Sequence, residues 1–193
     1  EICSNRELEA LCLDGNGQWS RIWFPTQCTP RGCFIYALIM TKTAVFLWRF
    51  QPFHIGHMSI VEKIFQNDFE RLLLIIGSAD KSGTDENPWN VQEREEIIRA
   101  SIPLELQEKI DIASLADVPD DDVWCKNLQN LFPWEVTLFT GNDWVKGICE
   151  RHGIQTDWIN SYDIDISGTK IREMLREGRD ISQYVFPSDI LRN

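Results

Sequence analysis

The pattern of hydrophobic and polar positions alternates between strand and helix spacing along most of the chain. An apolar run of strand length, Ala44–Trp48, precedes a segment, 56–67, whose apolar residues recur at helical spacing. The run Arg71–Gly77 is almost continuously apolar, as expected of a strand that is buried on both faces. The predicted strands are 44–48, 71–77, 110–115, 136–140 and 154–159, and the predicted helices are 56–67, 91–101, 121–131, 143–151 and 168–177. This order predicts an α/β fold, a Rossmann-like doubly wound parallel sheet of about five strands with helices on both faces.

The first 39 residues do not share this alternation. They contain four of the six cysteines, and no helical or strand period is sustained along them. We therefore predict an irregular or disordered N-terminal extension over residues 1–39 and the working domain over residues 40–193. The leucines near the start are compatible with one short helix: Leu8, Leu11 and Leu13. The alternative is a small cap that packs on the domain through three aromatic residues, Trp19, Trp23 and Phe24.

Composition and charge exclude several classes of function. The chain of 193 residues is long enough for one domain with a substantial core, and 43% of its residues are hydrophobic. Its formal net charge of -11 argues against a general nucleic-acid binder, which needs a basic surface. No apolar run approaches the length of a membrane span, and the acidic start does not resemble a secretory signal. We therefore expect a cytoplasmic protein that binds neither nucleic acid nor membranes.

The six cysteines favour reduced thiols over disulfides or a metal site. The spacings C-x8-C and C-x4-C among the first four do not match the paired C-x2-C of zinc ribbons. A domain with this much apolar sequence also has no need of disulfides for its stability. We therefore expect no protein-bound metal.

The segment Trp48–His57, W-R-F-Q-P-F-H-I-G-H, connects the first predicted strand to the first predicted helix. The free N–H groups and the positive dipole end of a helix start favour an anion there. His54 and His57 are three residues apart, so both side chains can face that anion, and Gly56 permits close approach of the backbone. Zinc sites use such spacing too, but the sequence holds one other histidine and no nearby Cys or carboxylate cluster. The segment therefore predicts a phosphate site, and with it a nucleotide ligand.

A second segment, I-S-G-T-K-I-R over residues 166–172, predicts another anion site. Ser167 is a natural N-cap for the helix that follows, and the helix start offers free N–H groups to a phosphate. Lys170 and Arg172 add positive charge within one turn. Taken alone, S-G-T-K would more often be an ordinary capped surface helix.

Together the two segments resemble the signatures of one enzyme family. The first is similar to the H-x-G-H motif of nucleotidyltransferases and, in the form G-R-F-Q-P-F-H-x-G-H, to that of nicotinamide mononucleotide (NMN) adenylyltransferases of the archaeal type. The second resembles the I-S-x-T-x-I-R signature near the C-terminus of the same enzymes. One position differs, because Trp48 stands where the family usually has glycine. An indole there either narrows the nucleotide pocket or packs on a helix as an ordinary strand residue.

Further segments extend the resemblance to about residues 43–186. Residues 77–94 are similar to the family's G-S-A loop and the E-N-P-F-x-x-x-E-R stretch that follows it, which implies a phosphate-side role for Arg94. The sequence T-G-N at residues 140–142 implies that Gly141 and Asn142 lie near ATP.

The resemblance also implies an acceptor site. The stretch Asp117–Trp124 is similar to a family segment that ends in an aromatic residue near the nicotinamide ring. Trp124 would stack on this ring, because an electron-poor pyridinium over an indole face is a favourable cation–π pair. The other expected NMN contacts are Asp117, Asp121 and Trp89. An ordinary core aromatic residue is the alternative for Trp124.

The implied reaction is transfer of AMP from ATP to NMN, giving NAD and pyrophosphate, with Mg²⁺ bridging the ATP phosphates. The nucleophile is a phosphate oxygen that is already ionised at neutral pH, so no general base is required. We expect four catalytic residues that supply positioning and positive charge: His57, His54, Arg49 and Arg172. The expected ATP and phosphate contacts are Phe50, Gln51, Gly56, Arg94, Gly141, Asn142, Ser167, Thr169 and Lys170.

Two alternatives stay open at this point. The acceptor of AMP could be another phosphate compound, such as phosphopantetheine or flavin mononucleotide. Trp48 could instead mark a nucleotide-binding sensor without turnover. The resemblance further suggests a homo-oligomer.

Overall fold

The structure is a computed structural model that describes residues 8–13, 19–24, 42–132, 135–158 and 166–186. The chain divides into two compact units, residues 1–41 and 42–193. In the first unit, β1 (Leu8–Leu13) pairs antiparallel with β2 (Trp19–Phe24). The expectation of irregular structure with one short helix is therefore wrong for these residues. Strand pairing joins positions far apart in sequence, such as Leu8 opposite Phe24, and a search for local periodicity does not detect it. That residues 1–39 form a separate extension stays a prediction.

The second unit contains a five-stranded parallel sheet and six helices among its described residues. Its strands are β3 (Thr43–Trp48), β4 (Arg71–Ile76), β5 (Ile110–Ser114), β6 (Thr137–Thr140) and β7 (Gln155–Trp158). Its helices are α1 (Ile55–Gln66), α2 (Val91–Ser101), α3 (Leu104–Gln107), α4 (Asp121–Gln129), α5 (Asp143–Arg151) and α6 (Gly168–Arg176). The strand order is β5-β4-β3-β6-β7, which confirms the predicted doubly wound α/β fold. The single turn α3 was not predicted, and Ile159, the last residue of the predicted fifth strand, lies outside the described residues.

Alternate residues of the central strands belong to two separate cores, one on each face of the sheet. On β3, Ala44 and Phe46 contribute to one core, and Val45 and Leu47 contribute to the other. Helices α1, α2 and α6 cover the first face, and α4 and α5 cover the second. The strands are therefore buried on both sides, which explains why β3 and β4 read as continuous apolar runs.

The order of the strands places a crevice at one edge of the sheet. From β3 the chain continues outward through β4 and β5, and then returns to the other side of β3 as β6 and β7. The connections after β3 and β6 therefore leave the sheet in opposite directions. In doubly wound folds, ligands bind at such a switch point, outside the carboxyl ends of the strands.

The two described thiols of the domain are buried on the second face. Cys125 on α4 and Cys149 on α5 are free and fully buried. Burial raises the pKa of both thiols, that of Cys149 to about 12, so neither forms a reactive thiolate near neutral pH. The side chains of the other four cysteines lie outside the described part of the chain. Within that part, no helix has the length and apolar character required to span a bilayer.

Two glycines are expected to respond to alanine substitution with opposite signs. Gly178 follows α6 with φ of +67°, where a Cβ is unfavourable, so Gly178→Ala should reduce the free energy of unfolding by about 1–2 kcal/mol. Gly147 lies inside α5, where the nearest atom to an added Cβ is Nη1 of Arg151 at 3.9 Å, so Gly147→Ala should increase stability by roughly 0.5–1 kcal/mol. Urea unfolding of both variants measures the difference, and shifts of the same sign would contradict it.

Candidate active site

A cleft of about 470 Å³ lies at the switch point of the sheet. It is formed by the residues that follow β3, β4 and β6 and by the first turn of α5. Its volume is within the usual range for small-molecule sites. The lining residues are Leu47, Trp48, Arg49, Gly77, Ser78, Asp117, Trp124, Thr140, Gly141, Asn142, Asp143, Trp144 and Val145.

The two motif histidines form the start of α1. His54 is the N-cap, and its Nδ1 accepts a hydrogen bond from the backbone N–H of Gly56 at 3.1 Å. His57 reaches back, and its Nδ1 accepts from the N–H of His54 at 3.3 Å. Because both Nδ1 atoms accept, each neutral ring carries its proton on Nε2. The pair thus retains two Nε2–H donors beside a helix N-terminus.

Both histidines are buried, and their rings stack with centroids 3.8 Å apart. Burial lowers the pKa of His54 to about 4 and holds the pKa of His57 well below its usual value, with a smaller contribution from His54. Four more aromatic rings surround His57 at centroid distances from 5.0 to 6.1 Å: Phe46, Trp48, Phe50 and Phe53. The two imidazoles are therefore neutral hydrogen-bond donors and do not supply the positive charge expected from the sequence.

The start of α6 is held against the loop that precedes α1. Ser167 caps α6 by accepting from the N–H of Lys170 at 3.2 Å, as predicted. A Cβ on Gly168 would lie 2.6 Å from the carbonyl oxygen of Gln51, so this contact requires glycine. Arg172 donates from Nη1 to the same oxygen at 2.7 Å. The N-terminal ends of α1 and α6 are thus brought to one place, as an anion site requires.

The expected phosphate contact Gln51 has its side chain engaged elsewhere. Its Nε2 donates to the carbonyl of Trp89 at 2.8 Å, and its Oε1 accepts from the N–H of Trp89 at 3.2 Å. Phe50 precedes it with φ of 49° and a fully buried ring. These residues shape the loop between β3 and α1, and they join it to the loop that follows β4.

Arg94 on α2 is fully buried and bonds to backbone carbonyls. Its Nη1 donates to Arg49 at 3.0 Å and to Gly77 at 2.9 Å, its Nη2 donates to Ser78 at 3.2 Å, and its Nε donates to Asn90 at 3.3 Å. Four of its five N–H groups are therefore used. The structure places Arg94 as a support under the cleft rather than at its surface, where a phosphate contact was expected.

The remaining candidates for phosphate contact lie either in the cleft or in the first turn of α6. Arg49 and Gly141 line the cleft directly. Asn142 also lines it, but its Oδ1 caps α5 by accepting from the N–H of Trp144 at 2.9 Å. Thr169 accepts at Oγ1 from Nη2 of Arg172 at 3.2 Å, in the first turn of α6.

The structure separates the four expected NMN contacts. Trp124 and Asp117 line the main cleft, and Asp117 forms an ion pair with Lys81 from the loop after β4. Asp121 instead forms an exposed ion pair, with its Oδ2 3.5 Å from Nη2 of Arg151 on α5. Trp89 lines a different cavity of about 400 Å³, together with Arg172 and Arg176. The two predicted aromatic contacts therefore do not face one ring.

Sequence reasoning missed Trp144 and Asp143, which both line the cleft. They directly follow the T-G-N segment, at the start of a helix after a strand. A tryptophan at that position, next to an acidic residue, was the available signal. Trp48, which was singled out, lies at the cleft edge with its ring 5.8 Å from that of His57.

Comparison with known proteins establishes the family of the chain. A family model described as cytidylyltransferase-like matches residues 46–174, which include the histidine motif, the cleft and the start of α6. The nicotinamide-nucleotide adenylyltransferase of Thermococcus kodakarensis is 33% identical over 149 residues, covering 76% of this chain and 79% of the relative. That of Archaeoglobus fulgidus is 30% identical over 148 residues, covering 74% of this chain and 84% of the relative. The chain therefore belongs to the cytidylyltransferase-like family and, within it, to the nicotinamide-nucleotide adenylyltransferases.

Solved structures show the same fold at lower identity. A bifunctional NMN adenylyltransferase/ADP ribose pyrophosphatase from Francisella tularensis, complexed with AMP and a manganese ion, has a TM-score of 0.64 and 21% identity. The superposition covers 78% of this chain and 46% of the bifunctional protein. A putative nicotinate-nucleotide adenylyltransferase from Vibrio parahaemolyticus has a TM-score of 0.60 and 22% identity, and covers 80% of this chain and 100% of its own.

We predict that acid destabilises the protein through His54. Its pKa is about 4 in the folded state and about 6.5 when unfolded, so the unfolded state takes up a proton first as pH falls. The stability contributed by neutral His54 is complete above the unfolded pKa and declines towards pH 4, by about 3 kcal/mol in total. Urea unfolding between pH 7 and pH 5 measures the first part of this loss. His54→Asn keeps a cap acceptor but does not titrate, so an equally steep profile in that variant would contradict the assignment.

Proposed function

We propose that this protein transfers AMP from ATP to NMN, forming NAD and releasing pyrophosphate. The observation that carries the proposal is the meeting of two capped helix starts, α1 with its histidine pair and α6 with Ser167, next to a cleft that contains indole rings. The helix starts suit the phosphates of ATP. The indoles suit a pyridinium ring.

The reaction needs positioning and charge stabilisation rather than a base. An oxygen of the NMN phosphate attacks the α-phosphorus of ATP, the bond from that phosphorus to the bridging oxygen of the β-phosphate breaks, and pyrophosphate leaves with the electron pair. The attacking oxygen is already ionised near neutral pH. Negative charge therefore accumulates on the transferred phosphoryl group and on the leaving group, where donors have the greatest effect.

The residues of this chain divide that task. His54 and His57 donate from Nε2 to phosphate oxygens as neutral rings. Arg49 in the cleft and Arg172 on α6 supply permanent positive charge, and Lys170 adds to it at the start of α6. Arg94 acts on the reaction through the backbone that it supports.

A divalent cation would reach this site as a companion of ATP. Among the described residues, no three His, Cys, Asp or Glu side chains are grouped so that they could hold a metal ion. Mg²⁺ that enters with ATP would neutralise part of the charge on the leaving pyrophosphate. The homo-oligomer and the cytoplasmic location stay predictions.

Pyrophosphate release with a set of acceptors tests the proposal. The purified protein is incubated with ATP, Mg²⁺ and one acceptor at a time: NMN, phosphopantetheine or flavin mononucleotide. We expect pyrophosphate release and NAD formation only in the mixture that contains NMN. Pyrophosphate release only with phosphopantetheine, or only with flavin mononucleotide, would identify that compound as the acceptor instead. ATP binding without release in every mixture would identify a sensor.

His57→Ala should lower kcat by about a hundredfold to a thousandfold, the usual effect of losing one donor to a transition-state oxyanion. The KM for ATP should change much less, because the other phosphate contacts remain. Steady-state kinetics measure both constants. His152→Ala is the matched control, since His152 is the C-cap of α5, contacts the carboxylate of Asp122 and is outside the cleft lining. A kcat for His57→Ala equal to that of the control would remove His57 from the mechanism.

A further inference from the structure

Two indoles lie side by side in the cleft and differ in exposure. Trp124 is 3% exposed, whereas Trp144 is 47% exposed, and both line the cleft. Their ring centroids are 5.1 Å apart, and their planes are tilted by 57°. A ligand ring can stack on an indole only if one face is open. Trp124 offers almost no open face, and Trp144 does.

We propose that Trp144 presents the indole face that stacks on the pyridinium ring of the acceptor, with Trp124 as its buried support. The proposal rests on the proposed function, because that function brings a pyridine nucleotide into the cleft. It assigns the direct contact with the pyridinium ring to Trp144, which is not part of the motifs that resemble the family. It leaves Trp124 with an indirect role, in contact with the ring of Trp144.

The backbone holds Trp144 in place before a ligand binds. Trp144 is in the first turn of α5, and its N–H donates to Oδ1 of the N-cap Asn142 at 2.9 Å. The next residue, Val145, also donates to this oxygen, at 3.4 Å, and its side chain is buried in the second core. An aromatic residue on a capped helix turn, supported by a buried second ring, loses little conformational freedom when it stacks on a ligand.

The charges around the indoles suit a cationic ring. The face of an indole is the negative part of its quadrupole and attracts a pyridinium. Asp143 immediately precedes Trp144, and both Asp143 and Asp117 line the cleft. Lys81 pairs with Asp117, so Asp143 is the carboxylate that adds negative potential next to Trp144. Arg49, which suits phosphates, enters the same cleft from the end of β3.

Substitution of Trp144 tests this assignment, because loss of the indole should change the KM for NMN but not the KM for ATP. Trp144→Ala should raise the KM for NMN about tenfold, the size of effect expected for a lost cation–π contact, and leave the KM for ATP unchanged. Trp144→Phe should restore most of the affinity for NMN. Trp144→Leu, which keeps apolar area but has no aromatic face, should behave like Trp144→Ala. Trp158→Ala is the matched control, because Trp158 is 37% exposed at the end of β7 and outside the cleft lining.

A binding measurement without turnover gives a second readout. NMN titrated into the ATP-free protein should quench the indole fluorescence, since a stacked pyridinium accepts an electron from an excited indole. The quenching should be lost in Trp144→Ala and kept in Trp158→Ala. Reduced NMN has no positive charge on its ring, so its affinity should change less than that of NMN when Trp144 is replaced.

Two results would overturn the proposal. An unchanged KM for NMN in Trp144→Ala would show that Trp144 does not contact the ring. A lower KM for NMN would show that Trp144 covers Trp124 and that Trp124 is the stacking residue. Failure of the proposed function is distinct from both, because the wild-type protein would then form no NAD from ATP and NMN.

Discussion

The site depends on one buried guanidinium group. Arg94 joins the backbone after β3, the two residues after β4 and the N-cap of its own helix, through hydrogen bonds of 2.9 to 3.3 Å. The carbonyls of Ser78 and Asn90 also accept from backbone N–H groups, whereas the side chain of Arg94 supplies the donor for those of Arg49 and Gly77, at the edge of the sheet where the cleft forms. A buried charge is tolerated when such bonds satisfy it. The buried guanidinium of Arg94 requires acceptors, and the carbonyls beyond the strand ends require donors. The hydrogen bonds between them therefore set the shape of the cleft floor.

The proposed anion site combines permanent charge with oriented donors. The protein has a formal net charge of -11, yet α1 and α6 begin next to each other, with Arg172 bonded to the loop between β3 and α1. The histidines add Nε2–H groups whose tautomer is set by the helix cap itself. Burial by aromatic rings keeps them neutral, so the two rings, with centroids 3.8 Å apart, do not repel each other as imidazolium ions would. The local arrangement of donors and cations thus favours an anion despite the negative net charge of the whole protein.

Much of the fold could be predicted because its signals are local. The apolar runs of β3 and β4 reflect burial on both faces of the sheet, and Ser167 and Gly178 mark the two ends of α6 through capping chemistry that acts within a few residues. The capped starts of α1 and α6 were readable for the same reason, since capping and helix-end charge act within one turn. The hairpin β1–β2 escaped prediction because its partners lie on separate segments, and no short window contains both.

The sequence by itself determined the alternation of strands and helices, the capped helix starts and the residue types that suit a nucleotide. The tertiary structure decided which side chains line the cleft. Gln51 and Arg94 appear in the motifs, yet their donors are used by the backbone of neighbouring loops. Trp89 and Trp124 were grouped by resemblance, yet they line separate cavities. Trp144 became a candidate through its exposure next to a buried indole. Such facts depend on packing between segments distant in sequence, and spacing along the chain does not contain them.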